Sequence, residues 1–303
     1  MDVERRLQPA AARHRRFISP ASLARVTTTF SINVLSLSQI KPLAGLNIEH
    51  SKIMNNTGTN KNGRSAVELD HVTRTYRRDE FEIRALDDVT LNIPSHSFVA
   101  IMGPSGSGKT TMLNLIAGID HATAGRVAVG GEEITGMDES DLAAWRARHI
   151  GLVFQFYNLV PVLTAFENVE LPLLLTNLDK SDRRAHVESA LRAVGLADRM
   201  RHYPRQLSGG QEQRVAIARA IVTDPTIVVA DEPTGDLDAK SAEDILNLLT
   251  QLNRQFQKTI VMVTHDPRSE RYVDTVYRLD KGVFVGTEKG ATMSSRVELQ
   301  TQA

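Results

Sequence analysis

The amino-acid sequence predicts an α/β protein with a mostly parallel sheet. Three short apolar runs of strand length begin at Phe98, Thr226 and Thr259. Amphipathic helical segments separate them, and alternation of strand and helix along a chain favours a parallel sheet. A glycine-rich segment follows the first run and ionisable residues follow the other two, at the edge of such a sheet where ligands bind.

The first run leads into a phosphate-binding motif. Gly103, Gly108, Lys109 and Thr110 fit the P-loop pattern G-x-x-x-x-G-K-[ST], with a strand before it and a helix after it. The glycines let the backbone curl its N–H groups around a phosphate, and the helix N-terminus adds its dipole. Lys109 brings a positive charge to the β- and γ-phosphates, and the Thr110 hydroxyl is a ligand for Mg²⁺. The predicted nucleotide-binding residues of this loop are Gly103, Pro104, Ser105, Gly106, Ser107, Gly108, Lys109, Thr110 and Thr111.

Composition narrows the function classes. The 303 residues allow one large domain or two small ones, and 41% hydrophobic with 24% charged residues is typical of a globular protein. Formal net charge is zero, so bulk electrostatics give no argument for a nucleic-acid partner. The absence of cysteine excludes disulfides, thiolate metal sites and cysteine nucleophiles. The longest apolar run, Leu171 to Leu175, is interrupted by Pro172, so we expect any membrane role to require a partner.

Residues 1–64 differ from the rest of the chain. They contain ten Lys and Arg residues against three Asp and Glu, and they end in a polar Asn- and Gly-rich stretch. A targeting peptide and an arm that binds a membrane surface or a partner are two interpretations. We favour a third, a disordered extension, with Met54 as a possible true translation start. A polar, flexible tail is expected over residues 287–303.

The segment from Val67 to Pro94 alternates in polarity and is charged in its middle, which predicts two strands of a small antiparallel sheet beside the nucleotide. Tyr76 ends the first strand. It can stack on an adenine ring or be an ordinary half-buried strand tyrosine, and its position does not distinguish these.

Two polar features lie in the middle of the chain. Gln155 follows a predicted buried strand, where an apolar residue is more usual. The L-S-G-G-Q segment precedes an amphipathic helix and places Ser208, Gly209, Gly210 and Gln211 at its N-terminus, a second anion site or simply a capped turn. The intervening residues are predicted to be helical.

The last two apolar runs end in ionisable side chains. Asp231 and Glu232 follow one, and adjacent carboxylates beside a core strand are costly unless a cation or water uses them. Asp231 is placed to hold Mg²⁺ with Thr110, and Glu232 to polarise an attacking water. His265 ends the other run and is a candidate despite the frequency of purely structural histidines.

The ordered set of motifs resembles the ATP-binding subunit of an ATP-binding-cassette (ABC) transporter from about Val67 to Val285. Finer features such as L-V-F-Q-F-Y-N-L-V-P resemble the lipoprotein-releasing and macrolide-export branch, whereas residues 1–64 have no counterpart. The motifs are the P-loop, Gln155, L-S-G-G-Q at Leu207 to Gln211, the strand ending at Asp231 and Glu232, G-D-L-D at Gly235 to Asp238, and His265.

The resemblance implies an ABC ATP-binding domain over residues 65–286: a P-loop NTPase core, an antiparallel β subdomain and a helical subdomain at about 156–210. It implies adenine stacking by Tyr76, a catalytic lysine at Lys109, a general base at Glu232 and a γ-phosphate contact at His265. Gln155 would sense Mg²⁺ and the attacking water and contact a transmembrane partner. Ser208, Gly209, Gly210 and Gln211 would bind the ATP held by a second subunit.

These implications predict an ATPase that binds ATP and Mg²⁺, forms a homodimer and drives export or extraction through a separate permease. It would lie at the cytoplasmic face of the inner or plasma membrane. One alternative is a regulatory or scaffolding ATPase of a non-transporting membrane complex, as in cell-division-type relatives. Another is an ABC ATPase of DNA repair or translation, but the expected coiled-coil insertion, tandem cassettes and basic face are not visible in the sequence. The cargo is not predicted.

Overall fold

The computed structural model describes residues 65–78 and 81–290. The predicted N-terminal extension over residues 1–64 lies outside the described residues, as do residues 291–303. The described residues form two β-sheets and six α-helices, in agreement with the predicted α/β class.

The smaller sheet is antiparallel. It contains β1 (Ser65–Arg78), β2 (Phe81–Pro94), β4 (Ala124–Val129) and the two-residue β5 (Glu132–Glu133), in the order β2-β1-β4-β5. Alternate residues of β2 from Val89 onward are buried, which is the pattern of a sheet with one face on the core. The antiparallel pairing predicted for the first two strands is confirmed.

The larger sheet is mostly parallel, as predicted. Its six strands follow the order β10-β9-β3-β8-β7-β6, and only the pair of β10 with β9 is antiparallel. Its strands are β3 (Phe98–Met102), β6 (Ile150–Val153), β7 (Ile227–Asp231), β8 (Thr259–Thr264), β9 (Thr275–Asp280) and β10 (Val283–Lys289).

The larger sheet extends beyond the C-terminal boundary expected at residue 286. Strand β10 continues to Lys289, and Thr287, Glu288 and Lys289 each have a partner on β9. Glu288 also forms an ion pair with Arg278 of β9 at 3.1 Å. Polar residues on an edge strand resemble a tail in the sequence, because the backbone ladder that fixes them does not depend on side-chain polarity.

Two hydrophobic clusters cover opposite faces of the larger sheet. Along β3, Phe98, Ala100 and Met102 belong to one cluster, whereas Val99 and Ile101 belong to the other. Strands β7 and β8 divide in the same way, since successive strand side chains point to opposite faces. These central strands are therefore buried on both faces, which explains their continuous apolar sequence.

The helices pack against these clusters. Residues of α4, α5 and α6 contribute to the first cluster, and residues of α1 and α2 to the second. No helix within residues 65–78 and 81–290 is long and apolar enough to cross a membrane. The helices are α1 (Lys109–Ile116), α2 (Glu139–His149), α3 (Ala165–Glu170), α4 (Lys180–Ala193), α5 (Gly209–Ile221) and α6 (Ala239–Phe256).

Helix α5 lies directly on strand β6. A Cβ at Gly151 of β6 would clash with the backbone oxygen of Ala220 in α5 and would lie 3.0 Å from the ring of Pro225. The helix backbone therefore approaches the strand more closely than any side chain allows. This contact fixes the height at which the two elements pass each other.

We expect Gly151→Ala to destabilise the fold by about 1–3 kcal/mol, because the added methyl group forces helix and strand apart. Urea unfolding of the purified chain measures the change. Gly136→Ala is the matched control, since a Cβ there meets nothing within 4 Å, and a change within about 0.5 kcal/mol is expected. Equal stability of the two variants would contradict the proposed role of this contact.

Candidate functional site

The carboxyl ends of three adjacent parallel strands carry the predicted site residues. The P-loop follows β3, Asp231 ends β7 with Glu232 next to it, and His265 follows β8. In the ladder, Met102 pairs with Thr264, and Asp231 pairs with Val263. The strands therefore end at nearly the same level, and the three groups of polar residues share one edge of the sheet.

The P-loop turns closely against the antiparallel sheet. Gly108 has a φ of +99°, and a Cβ there would also clash with the backbone oxygen of Ala85 in β2. Both restrictions require glycine at this position. The conformation leaves Gly108 as the N-cap of α1, so the helix begins directly at the loop.

The N-terminus of α1 is available for an anion. Its N-cap makes no side-chain hydrogen bond and its first turn contains no acidic residue. The first-turn N–H groups of a helix lack intrahelical partners and carry the positive end of the dipole. A phosphate is the ligand that this uncapped terminus fits.

Lys109 is buried and held inside the loop. Its side chain is in the first turn of α1, and Nζ donates to the backbone oxygens of Gly103 at 2.9 Å and Pro104 at 2.8 Å. An ammonium group has three donors, so these two bonds account for only part of its capacity. The contacts place a positive charge at the centre of the loop.

Asp231 and Thr110 form the best candidate for a metal site. The Thr110 hydroxyl lies 3.5 Å from the Asp231 carboxylate. Burial raises the pKa of Asp231, the nearby Glu232 raises it further, and Thr110 and Lys109 partly oppose both effects. Hydroxyl and carboxylate oxygens are ligands that Mg²⁺ prefers, so the residues present fit this ion.

Glu232 and His265 form a hydrogen-bonded pair. Nδ1 of His265 donates to Oε1 of Glu232 at 2.8 Å. The Glu232 side chain is only 17% exposed, whereas that of His265 is 70% exposed. Glu232 has a φ of +46°, and its N–H donates to Val263 of β8. The strained backbone is held by the neighbouring strand and aims the carboxylate towards His265.

Gln155 lies against the G-D-L-D segment. Its Nε2 is 2.8 Å from the point that a Cβ on Gly235 would occupy, so glycine gives the amide room. Gly235 lies one turn after Glu232, and its N–H donates to the backbone oxygen of Glu232 at 3.0 Å. The loop after β6 and the loop after β7 are therefore in direct contact.

Tyr76 is half-buried on β1, and its ring is already fixed by protein contacts. Its hydroxyl donates to Asp120 at 2.6 Å, and the Arg74 guanidinium lies 4.5 Å from the ring centroid. Arg74 also forms an ion pair with Asp120 at 2.6 Å. One face of the Tyr76 ring is thus covered by a cation. Stacking of an adenine on the other face stays a prediction.

Residues Ser208 to Gln211 make their polar contacts with one another. They form a capping box at the N-terminus of α5, in which the Ser208 hydroxyl accepts from the Gln211 N–H and the Gln211 side chain accepts from the Ser208 N–H. Within residues 65–78 and 81–290, no hydrogen bond or ion pair joins this segment to residues 103–111. The two segments predicted to bind phosphate therefore share no polar contact within the described part of one chain.

A residue that the sequence analysis missed supports the loop after Gln155. Arg219 of α5 donates to the backbone oxygens of Tyr157 at 2.7 Å and Asn158 at 2.6 Å. Both acceptors have positive φ values, and burial lowers the pKa of Arg219. Its helical position two turns after the L-S-G-G-Q segment gave only a weak signal, because the acceptors are backbone atoms about 60 residues away.

Comparison with known proteins agrees with this architecture. The family described as "ABC transporter" matches residues 86–235. The ABC transporter ATP-binding protein YtrE of Bacillus subtilis is 41% identical over 224 residues, which cover 73% of this chain and 97% of that protein. The macrolide export ATP-binding/permease protein MacB of Bradyrhizobium diazoefficiens is 44% identical over 73% of this chain, but the match spans only 34% of that protein.

Solved structures show the same fold. A dimeric structure of the ATP-binding cassette MJ0796 in a post-hydrolysis state, bound to ADP and Pi, superposes with a TM-score of 0.68 at 45% identity. It covers 74% of this chain and 98% of the matched one, and the protein comes from Methanocaldococcus jannaschii. CbiO1 of Clostridium perfringens superposes with a TM-score of 0.69 at 25% identity.

The fold and the P-loop thus define an ATP-binding cassette. The chain belongs to the ABC transporter family and is an ATPase of that family. The family resemblance expected from the sequence is confirmed.

We expect Lys109→Ala to weaken ATP binding by about 10- to 100-fold, because a charged hydrogen-bond donor is worth about 1.5–3 kcal/mol. Isothermal titration with ATP measures the Kd. Lys180→Ala, which removes an exposed lysine at the start of α4, is the control and should leave the Kd unchanged. An unaltered Kd for Lys109→Ala would argue against a role of Lys109 in binding the phosphates.

Proposed function

We propose that this chain is the ATP-hydrolysing subunit of a membrane transporter and works as a homodimer with a separate permease. The observation that carries the proposal is the convergence of Lys109, Asp231 and the Glu232–His265 pair at one edge of the sheet. The buried cation, the candidate metal ligands and the candidate base are the parts that phosphoryl transfer to water requires.

The residues divide the chemistry as follows. Lys109, the loop N–H groups and the α1 N-terminus bind the phosphates and offset their charge. Thr110 and Asp231 would hold Mg²⁺, with Gln155 proposed to sense the ion from the loop after β6, and the ion would offset further negative charge on the nucleotide. Glu232 orients and deprotonates the attacking water, and His265 holds the Glu232 carboxylate while its exposed ring reaches the γ-phosphate.

A second copy of the chain would complete the site. The capping box uses the N–H groups of Ser208 and Gln211 and leaves those of Gly209 and Gly210, at the start of α5, for a ligand. No hydrogen bond among the described residues joins this segment to the P-loop of its own chain. A head-to-tail dimer places this segment over the ATP bound by the partner copy. The dimeric structure of MJ0796, at 45% identity, supports the formation of a dimer.

Exposed apolar side chains support a permease partner. Phe156, Val162, Leu174 and Leu175 are 69%, 78%, 55% and 81% exposed, and all four belong to the segment that begins directly after Gln155. Large apolar side chains clustered in one segment are typical of an interaction site. Relatives named macrolide export ATP-binding/permease proteins favour a role in export, and the match spans about a third of their length.

We expect Glu232→Gln to lower the ATPase kcat at least about 100-fold with little change in ATP affinity, because the base is lost but the phosphate contacts remain. Phosphate release and nucleotide titration give the two constants. Glu133→Gln, at the far edge of the antiparallel sheet, is the control and should hydrolyse ATP normally. A near-normal kcat for Glu232→Gln would remove Glu232 as the base.

We expect the Glu232→Gln chain, incubated with ATP, to recover one multi-span protein from detergent-solubilised membranes. Adding Leu175→Glu should abolish recovery, because a charge replaces an apolar contact, whereas Val283→Glu on β10 should not. Recovery only of soluble proteins or nucleic acid would contradict a transporter role. A recovered partner that moves no substrate in vesicles would support the scaffolding alternative.

A further inference from the structure

One buried amide joins the two loops that carry the proposed catalytic groups. Gln213 of α5 is fully buried, and its Nε2 donates to the backbone oxygen of Pro233 at 2.7 Å and to that of Phe154 at 3.3 Å. Phe154 immediately precedes Gln155, and Pro233 immediately follows Glu232. A single side chain therefore holds the backbone next to both residues.

The chemistry of the amide fixes its orientation. A flipped side chain would place its oxygen against two carbonyl oxygens, so only the N–H groups can face them. The Gln213 Oε1 atom is buried and has no hydrogen-bond partner among the described residues. The side chain thus acts here through its two N–H groups, which a fully buried site makes costly to leave unpaired.

The packing of α5 on β6 explains how Gln213 reaches this position. Ala220 contacts Gly151 near the start of β6, whereas Gln213 contacts Phe154 just beyond its end. Seven residues of helix and three of strand both span about 10 Å, so the two elements stay matched along the contact. The close approach at Gly151 therefore sets the height of the amide at the carboxyl edge of the sheet.

We infer that Gln213 is a positioning residue for hydrolysis: it keeps Gln155 and Glu232 in register with the N-terminus of α5. The inference rests on the proposed function, because Ser208 to Gln211 begin the same helix. When Ser208 to Gln211 contact the nucleotide of a second copy, α5 is displaced. The two hydrogen bonds of Gln213 transmit this displacement to the loops after β6 and β7.

Asn253 provides a matched comparison within the same chain. This buried amide of α6 donates to the backbone oxygens of His96 at 2.9 Å and Lys258 at 2.8 Å. These acceptors precede β3 and β8, at the opposite edge of the larger sheet. Asn253 thus makes the same kind of bridge without any contact to the proposed site.

The test compares Gln213→Met with Asn253→Leu in the full chain, because each replacement keeps the approximate size and removes both donors. We expect Gln213→Met to lower the ATPase kcat by about tenfold or more, since small displacements of catalytic groups are costly, with the ATP Kd within about twofold of wild type. Asn253→Leu should lower the thermal midpoint but keep kcat. Unchanged kcat in Gln213→Met, or equal loss in both variants, would overturn the inference.

If Gln213→Met does not fold, Gln213→Glu keeps the length of the side chain and one donor when its new carboxyl group is protonated. The kcat of this variant relative to wild type should fall as pH rises, because the ionised group repels both carbonyl oxygens. A ratio that is independent of pH would overturn the inference. Glu232→Gln is assayed in parallel: if it keeps wild-type turnover, the proposed function fails, whereas an inactive Glu232→Gln beside a normal Gln213 variant refutes only the positioning role.

Discussion

The parallel ladder of β3, β8 and β7 is the constraint on which the rest of the structure depends. The strands are buried on both faces and pair in register, so their carboxyl ends lie level. Water cannot reach the centre of this sheet, and polar groups are therefore confined to its edges. The P-loop, the Asp231–Glu232 pair and His265 all emerge at the same edge because each stands at the carboxyl end of one of these parallel strands.

Negative and positive groups offset each other at this edge of the sheet. Asp231 is half-buried beside a second carboxylate, and its raised pKa records the cost. The buried Lys109 and the Thr110 hydroxyl oppose that cost. The uncapped N-terminus of α1 adds a further positive field. An edge of this kind favours an anion and a divalent cation together, which is the chemical character of a metal–nucleotide complex.

Helix α5 connects two loops that are far apart in the sequence, the loop after β6 and the loop after β7. It begins with the Ser208 capping box, reaches the loops at Phe154 and Pro233 through Gln213, and holds the turn at Tyr157 and Asn158 through Arg219. Its closest backbone contact, at Gly151, limits how far it can slide along β6. This helix thus contacts the loops after β6 and β7, and it begins at the segment that we propose binds the nucleotide of a second copy.

The fold class, the P-loop and the family could be predicted from the sequence, because apolar runs, glycine spacing and helix starts are local properties of the chain. The sequence also predicted that Asp231, Glu232 and His265 lie at the ends of strands. Pairing of those strands in register then brings the three residues to the same level. Three features could be found only in the tertiary structure: the bridge made by Gln213, the stacking of Arg74 on the Tyr76 ring and the extension of β10 to Lys289. These features depend on backbone acceptors and strand partners distant in sequence, and a glutamine in a helix has the same local pattern whether or not two carbonyl oxygens face it.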